Sequence, residues 1–190
     1  MRLSEIAEVF SGRPAQRVEE GEPTTLVPVV AMRDVGTRII ARAHLETVPV
    51  GGEPDPRRRI QAGDIVVTSR GRVRAAVAQE EHTGVLLGPN LMMIRPQSDY
   101  PSALLAAFLR HPAIEARLLQ DTMTAGTPGF SMENLRSLEL NDIPADQADR
   151  LAELMDETDT YVREIQAGAN RLTAAAIETV FTNLNVEPAA

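Results

Sequence analysis

The residues in this chain best suited to chemistry are arginines. Ser69-Arg70-Gly71-Arg72-Val73-Arg74 follows directly on the apolar run Ile65 to Thr68, and a second cluster, Arg57-Arg58-Arg59, precedes it in a proline-rich stretch. If the run continues as a strand through a turn at Gly71, alternation puts Arg70, Arg72 and Arg74 on one side of it. Such a row suits phosphates or base edges in a groove, because a guanidinium donates paired hydrogen bonds to both. A row of this kind also serves as a plain solvated face, and residue types alone leave the two readings open. The segment Thr124 to Gly129, TAGTPG, offers backbone amides and hydroxyls to the same kinds of ligand, or simply connects two elements.

Other chemistries find little support. His44, His82 and His111 are scattered, without metal-ligand spacing or an HExxH-type carboxylate, and read as ordinary surface or partly buried residues. No pair of carboxylates stands out as an acid/base couple, and no phosphate-cradling loop, dinucleotide fingerprint or GxSxG elbow occurs. With no cysteine there are no disulfides, thiolate ligands or thiol nucleophile. The chain is therefore expected to be no enzyme and to need no cofactor or metal. Its opening residues, MRLSEIAEVF, lack a signal-peptide apolar stretch, and no apolar run approaches the roughly 20 residues that span a bilayer, so a cytoplasmic protein is expected.

Charge argues against a polyanionic partner only in the sum. The 190 residues carry a formal charge of −8, but residues 1–100 hold 13 arginines and 13 acids, whereas residues 101–190 hold 6 arginines and 14 acids. A neutral first half still has room for a local basic face. All 19 basic residues are arginine, a bias that base composition of the genome would also produce.

The elements that must position these groups follow from pattern. Leu26 to Met32, Ile65 to Thr68, Ala75 to Ala78, Val85 to Leu87 and Leu91 to Ile94 are short apolar or β-branched runs separated by glycine turns, which predicts a curved, mostly antiparallel or mixed sheet. Between Pro49 and Arg59, PVGGEPDPRRR cannot form a central strand and is placed on a surface loop. From Pro101 the spacing becomes helical: Leu104, Leu105, Phe108 and Leu109, then Ile114, Leu118 and Leu119, with Pro112 starting the second helix. Ser131 is a candidate N-cap, and Ser137 to Leu140, SLEL, is strand-like. After Pro144 a long helix is expected to about Leu184. Leu151, Thr158, Ile165 and Leu172 repeat every seven residues, offset by three from Leu154, Tyr161, Gly168 and Ala175. This is a seam of about four heptads, and either a coiled coil or a single amphipathic helix on its own domain would show it. Eight acids against Arg150 and Arg163 between Asp142 and Glu164 make its outer face acidic. The fold class expected is α+β: one domain over residues 1–143, a helix over 144–184 and a disordered tail over 185–190.

The order of segments resembles a known family. MRLSEIAEVFSG, VPVVAMRDVG, IQAGDIVVTSRGRVRAAVA, NLMMIRP, YPSALLAAFLRHP, TAGTPGFSMENLRSLEL and IPADQADRLAELMDE together resemble a target-recognition domain followed by a conserved-region helix, as in type I restriction-modification specificity subunits. The resemblance covers nearly the whole chain. It implies binding of double-stranded DNA near Ser69, Arg70, Arg72, Arg74, Arg57, Arg58 and Thr127, and a helix interface formed by Leu151, Leu154, Tyr161, Ile165 and Leu172. It implies methyltransferase and restriction subunits as partners that perform the catalysis. A specificity subunit of that family has two recognition domains and two long helices, and this chain has one of each. Two copies about a twofold axis would restore the arrangement as a homodimer reading a bipartite palindromic site. The alternative is a repurposed copy, a decoy or assembly factor that binds protein through its acidic helix and not DNA.

Overall fold

In a computed structural model of the chain, residues 1–12, 24–52, 54–97, 100–120, 128–141 and 143–184 are described. It divides into two compact units, Met1–Met155 and Asp156–Ala190. The fold is α+β. A four-stranded antiparallel sheet holds β1 (Ala7–Ser11), β7 (Leu91–Pro96), β4 (Ile65–Thr68) and β5 (Ala75–Val77) in that order. A three-stranded sheet holds β3 (Glu46–Gly51), β2 (Thr24–Val30) and β6 (Leu86–Leu87), with β2 antiparallel to β3 and parallel to β6.

Why β4 is apolar at every position but its last follows from its place. Ile65 and Val67 enter one core, shared with Leu3, Ile94, Leu105, Leu109 and Leu135. Val66 enters a second, shared with Val30, Ile60, Val85, Leu91 and Met93. A strand covered on both faces reads as a continuous apolar run, because each side of its pleat meets a core. The first core lies under α1 (Leu3–Ile6), α2 (Ser102–Leu109), α3 (Pro112–Leu119) and α4 (Met132–Arg136). Pro112 opens α3 as expected, with His111 Nδ1 accepting from the Ala113 amide. Ser131 caps α4, its Oγ accepting from the Asn134 amide at 3.1 Å.

Several expectations need correction. The strand expected over Leu26 to Met32 ends at Val30, because the buried Asp34 carboxylate accepts from the Ala31 amide at 2.8 Å and closes a 3-10 turn over Met32–Asp34. The stretch placed wholly on a loop gives Pro49, Val50 and Gly51 to β3, which is possible because β3 lies at the edge of its sheet. SLEL forms no strand, only the bridge of Glu139 to Arg2, flanked by the bonds Leu3 N to Leu138 O and Leu140 N to Met1 O. His82 is not a surface residue. It is 1% exposed, its Nδ1 accepts from the Gln79 amide, and Nε2–H therefore donates to the Ile40 carbonyl at 3.0 Å. α5 (Ala145–Asn183) is one continuous helix.

An ion pair ties β7 to the segment that leads into β4. Asp64, 2% exposed, stands just before β4 and accepts from Arg95 of β7 twice, at 2.8 and 2.7 Å, and from the Gln61 amide at 2.7 Å. The same guanidinium donates to the carbonyls of Arg59 and Arg57 and lies 5.5 Å from the Phe10 ring centroid. Asp64→Ala leaves that guanidinium without its carboxylate, and the expected loss of stability in denaturant unfolding is about 3–5 kcal/mol. The double variant Asp64→Leu/Arg95→Met is expected to recover much of it, since no buried charge is then left unpaired.

Candidate functional site

Ser69 to Arg74 connects β4 to β5 and is held by four segments, the first being the turn before β7, where Asn90 O accepts from Ser69 N at 2.9 Å. Thr68 closes it from within: its Oγ donates to the Arg72 carbonyl at 2.8 Å and accepts from the Arg74 amide at 2.9 Å. From α3, Glu115 Oε1 accepts from the Val73 amide at 2.8 Å. From the segment entering α4, Pro128 O accepts from Gly71 N at 2.7 Å, and Phe130 N donates to Ser69 O at 3.1 Å. Gly71 turns the chain at a φ of +69°, where a side chain is strained.

This differs from the extended row expected from alternation, because β4 ends at Thr68 and the arginines sit in a turn. Local alternation survives only over the last residues: Arg72 is exposed, Val73 buried and Arg74 half-buried. Arg70 is exposed and Ser69 buried. Among the described residues, Arg70, Arg72 and Arg74 make no side-chain hydrogen bond or ion pair. Thr127 lies outside the described residues, but the two residues after it, Pro128 and Gly129, are the ones that pair with this turn.

The second cluster is used differently. Arg57 is exposed and paired with Asp55 at 3.2 Å, an interaction that holds the Asp55 carboxyl below the usual carboxylate range. Arg58 donates to the Ser11 carbonyl at 3.1 Å, and Arg59 to the Gly84 carbonyl at 3.2 Å. Arg58 and Arg59 thus tie the 56–59 segment to the end of β1 and to the Gly84 turn, and the structure does not bring the cluster together with the 69–74 turn as one row of free charges. Beside Arg58 lies a cavity of about 420 Å³ with walls that include Phe10, Val48, Leu87 and Met93. No group of three metal-ligating side chains occurs among the described residues. Glu115 and Thr68 were not legible as part of the site. Thr68 has the signal of a hydroxyl at the end of an apolar strand, whereas Glu115 is 42 residues from its partner and has none.

On α5, Leu151, Leu154, Tyr161, Ile165 and Leu172 are all exposed, from 40% at Leu151 to 75% at Leu172. No helix of the described residues is long and apolar enough to cross a membrane.

No protein-family model and no curated protein matches the sequence. Solved structures do match. A chain from a structure describing complex assembly and conformational transition of the type I R-M system superposes with a TM-score of 0.61 at 18% identity, covering 94% of this chain and 42% of that one. The HsdS subunit from Thermoanaerobacter tengcongensis gives 0.58 at 17% identity, covering 88% and 38%. The S subunit of a type I restriction-modification system from M. genitalium gives 0.54 at 16% identity, covering 92% and 43%. The chain thus shares their fold and spans about two fifths of their length.

The close approach of Gly129 to the arginine turn is directly testable. A Cβ there would lie 2.8 Å from Ser69 O and 3.3 Å from Arg70 Cγ, so one backbone must move. Gly129→Ala is expected to cost about 1–3 kcal/mol in unfolding experiments and to speed hydrogen exchange at Gly71 and Phe130.

Proposed function

We propose that this chain is a sequence-specific reader of double-stranded DNA, the half-size specificity component of a type I restriction-modification system. It acts as a homodimer on a bipartite palindromic site, and methyltransferase and restriction subunits bound to it carry out catalysis. The observation that carries this reading is the exposed arginine turn, fixed through its backbone in a chain with the fold of specificity subunits. Guanidinium groups with no partner among the described residues are available to phosphates and to the guanine edge in the major groove. The helix seam of Leu151, Leu154, Tyr161, Ile165 and Leu172 is the dimer contact. Its exposure in the single chain supports a partner of the same apolar character.

Charge favours an antiparallel pair. Residues 145–164 hold seven acids and two arginines, whereas residues 165–183 hold Glu178 and Arg171 alone. Parallel pairing sets the acidic halves side by side, and antiparallel pairing sets each beside a neutral half. From Leu151 to Ala175 the helix rises about 36 Å. Two copies of Leu151 in an antiparallel pair are then separated by about one turn of duplex.

Two measurements test this. Light scattering is expected to give twice the monomer mass, and Leu154→Asp/Ile165→Asp to give folded monomers; a wild-type monomer would sink the dimer. Selection from random duplexes is expected to enrich inverted half-sites separated by a spacer of fixed length. Binding to such a duplex is expected to weaken with salt. Arg70→Ala/Arg72→Ala/Arg74→Ala is expected to lower the log–log salt slope by about one for each phosphate that is no longer neutralised. Salt-independent binding of a protein partner by residues 144–184, with no duplex affinity, would favour the decoy or assembly reading.

A further inference from the structure

We infer that Glu115 is a positioning residue for DNA reading: its carboxylate holds the arginine turn in the geometry in which Arg72 and Arg74 meet base edges. The inference rests on the DNA-reading function proposed above. Of the four anchors of the turn, Thr68 adjoins it in sequence, and Asn90 and Pro128 to Phe130 hold its first half. The bond from Val73 N–H to Glu115 Oε1 is the one that ties its second half to the helical layer.

That bond bears on both arginines, because it holds the peptide unit between them from the side opposite Thr68, whose Oγ binds its carbonyl end. Val73 is 5% exposed and sits between them, so fixing its peptide plane fixes the directions in which the flanking side chains leave the backbone. Glu115 is itself held rigidly. α3 starts at a proline with a histidine cap, and three residues beyond Glu115 the side chain of Leu118 is 2% exposed in the helix-covered core. A chain of contacts therefore runs from the core through α3 to the turn.

The choice of partner is informative. A carboxylate beside two arginines gains more from a guanidinium than from a neutral amide. Here it binds the amide, and Arg72 and Arg74 make no ion pair with it or with any other described residue. The backbone is ordered while the side-chain charges stay available. A turn ordered before binding avoids the backbone entropy cost that a loose one incurs on contact. Phosphate contacts tolerate small displacements, whereas base-edge hydrogen bonds do not, so the consequence falls on discrimination more than on affinity for any duplex.

The test compares a duplex enriched by the wild-type chain from a random library with a scrambled duplex of the same length. Glu115→Ala is expected to lose roughly tenfold in the ratio of the two affinities while keeping the salt slope of the wild type. Glu115→Gln, which retains the acceptor oxygen, is expected to stay within about twofold of wild type. Glu115→Asp keeps the charge but is one methylene short, is expected to behave as the alanine variant, and carries the test if that variant does not fold. An unchanged ratio in Glu115→Ala and Glu115→Asp, with the arginine substitutions still weakening binding, would overturn the inference and leave the DNA-reading function standing. No enrichment by the wild type would overturn both.

Discussion

The buried Asp64–Arg95 pair is the constraint on which the two-sheet domain depends. A charged pair removed from water is tolerable only when every remaining donor and acceptor is used. Here the carboxylate takes two guanidinium bonds and an amide, and the guanidinium takes the carboxylate, two carbonyls and an aromatic face. Those partners lie on β1, β7 and the 57–64 segment. One residue pair thus sets where the loop from the second sheet returns to the first. The strand that follows Asp64 is β4, and β4 delivers the chain to the arginine turn. Displacement at Asp64 would travel four residues along an inextensible strand to that turn.

Arginine has two roles in this domain, and environment separates them. Arg58, Arg59 and Arg95 give their donors to backbone carbonyls, where several planar donors in fixed directions satisfy acceptors that would otherwise be orphaned. Among the described residues no buried side-chain nitrogen or oxygen lacks a hydrogen-bond partner. Arg70 and Arg72 are exposed on a turn whose backbone needs are met without them. The sequence alone could not tell these roles apart, since RRR at 57–59 and RGRVR at 70–74 are equally rich in charge. What distinguishes them is the supply of carbonyl acceptors around each, which arises only after folding.

The same distinction between local and distant causes decides what was legible. β4, β7, the start of α3 and the Ser131 cap follow from local chemistry: a doubly covered strand, a proline at a first helical turn, a hydroxyl that meets its own helix's amides. The α+β class and the long α5 follow from pattern in the same way. β3 was hidden because Pro49 and Gly51 argue against a strand in general, and only its edge position admits them. Ser137 to Leu140 has strand composition but meets too short a partner at the N-terminus. Full burial of His82 has no sign in its sequence neighbourhood, because its acceptor at Ile40 is 42 residues away. Glu115 carried no sign of a role in the turn, and the pairing of Gly129 with Arg70 none either, for both contacts join segments far apart in sequence.

The manner in which the turn is held bears on how freely its exposed side chains can be exchanged. Every hydrogen bond that shapes Ser69 to Arg74 uses a backbone atom of the turn, and the side-chain contributions come from Thr68 and Glu115 outside it. The identities at 70, 72 and 74 are therefore nearly decoupled from the stability of the turn. Gly71 is constrained by its φ, Val73 by burial and Gly129 by its approach to Ser69. The free positions alternate with the constrained ones, so substitutions at 70, 72 and 74 alter what the surface presents while the frame beneath them stays fixed. A frame of this kind separates what folding requires from what the exposed side chains present. It places the requirement for specific residues on the supports, and leaves the exposed side chains as the variable part.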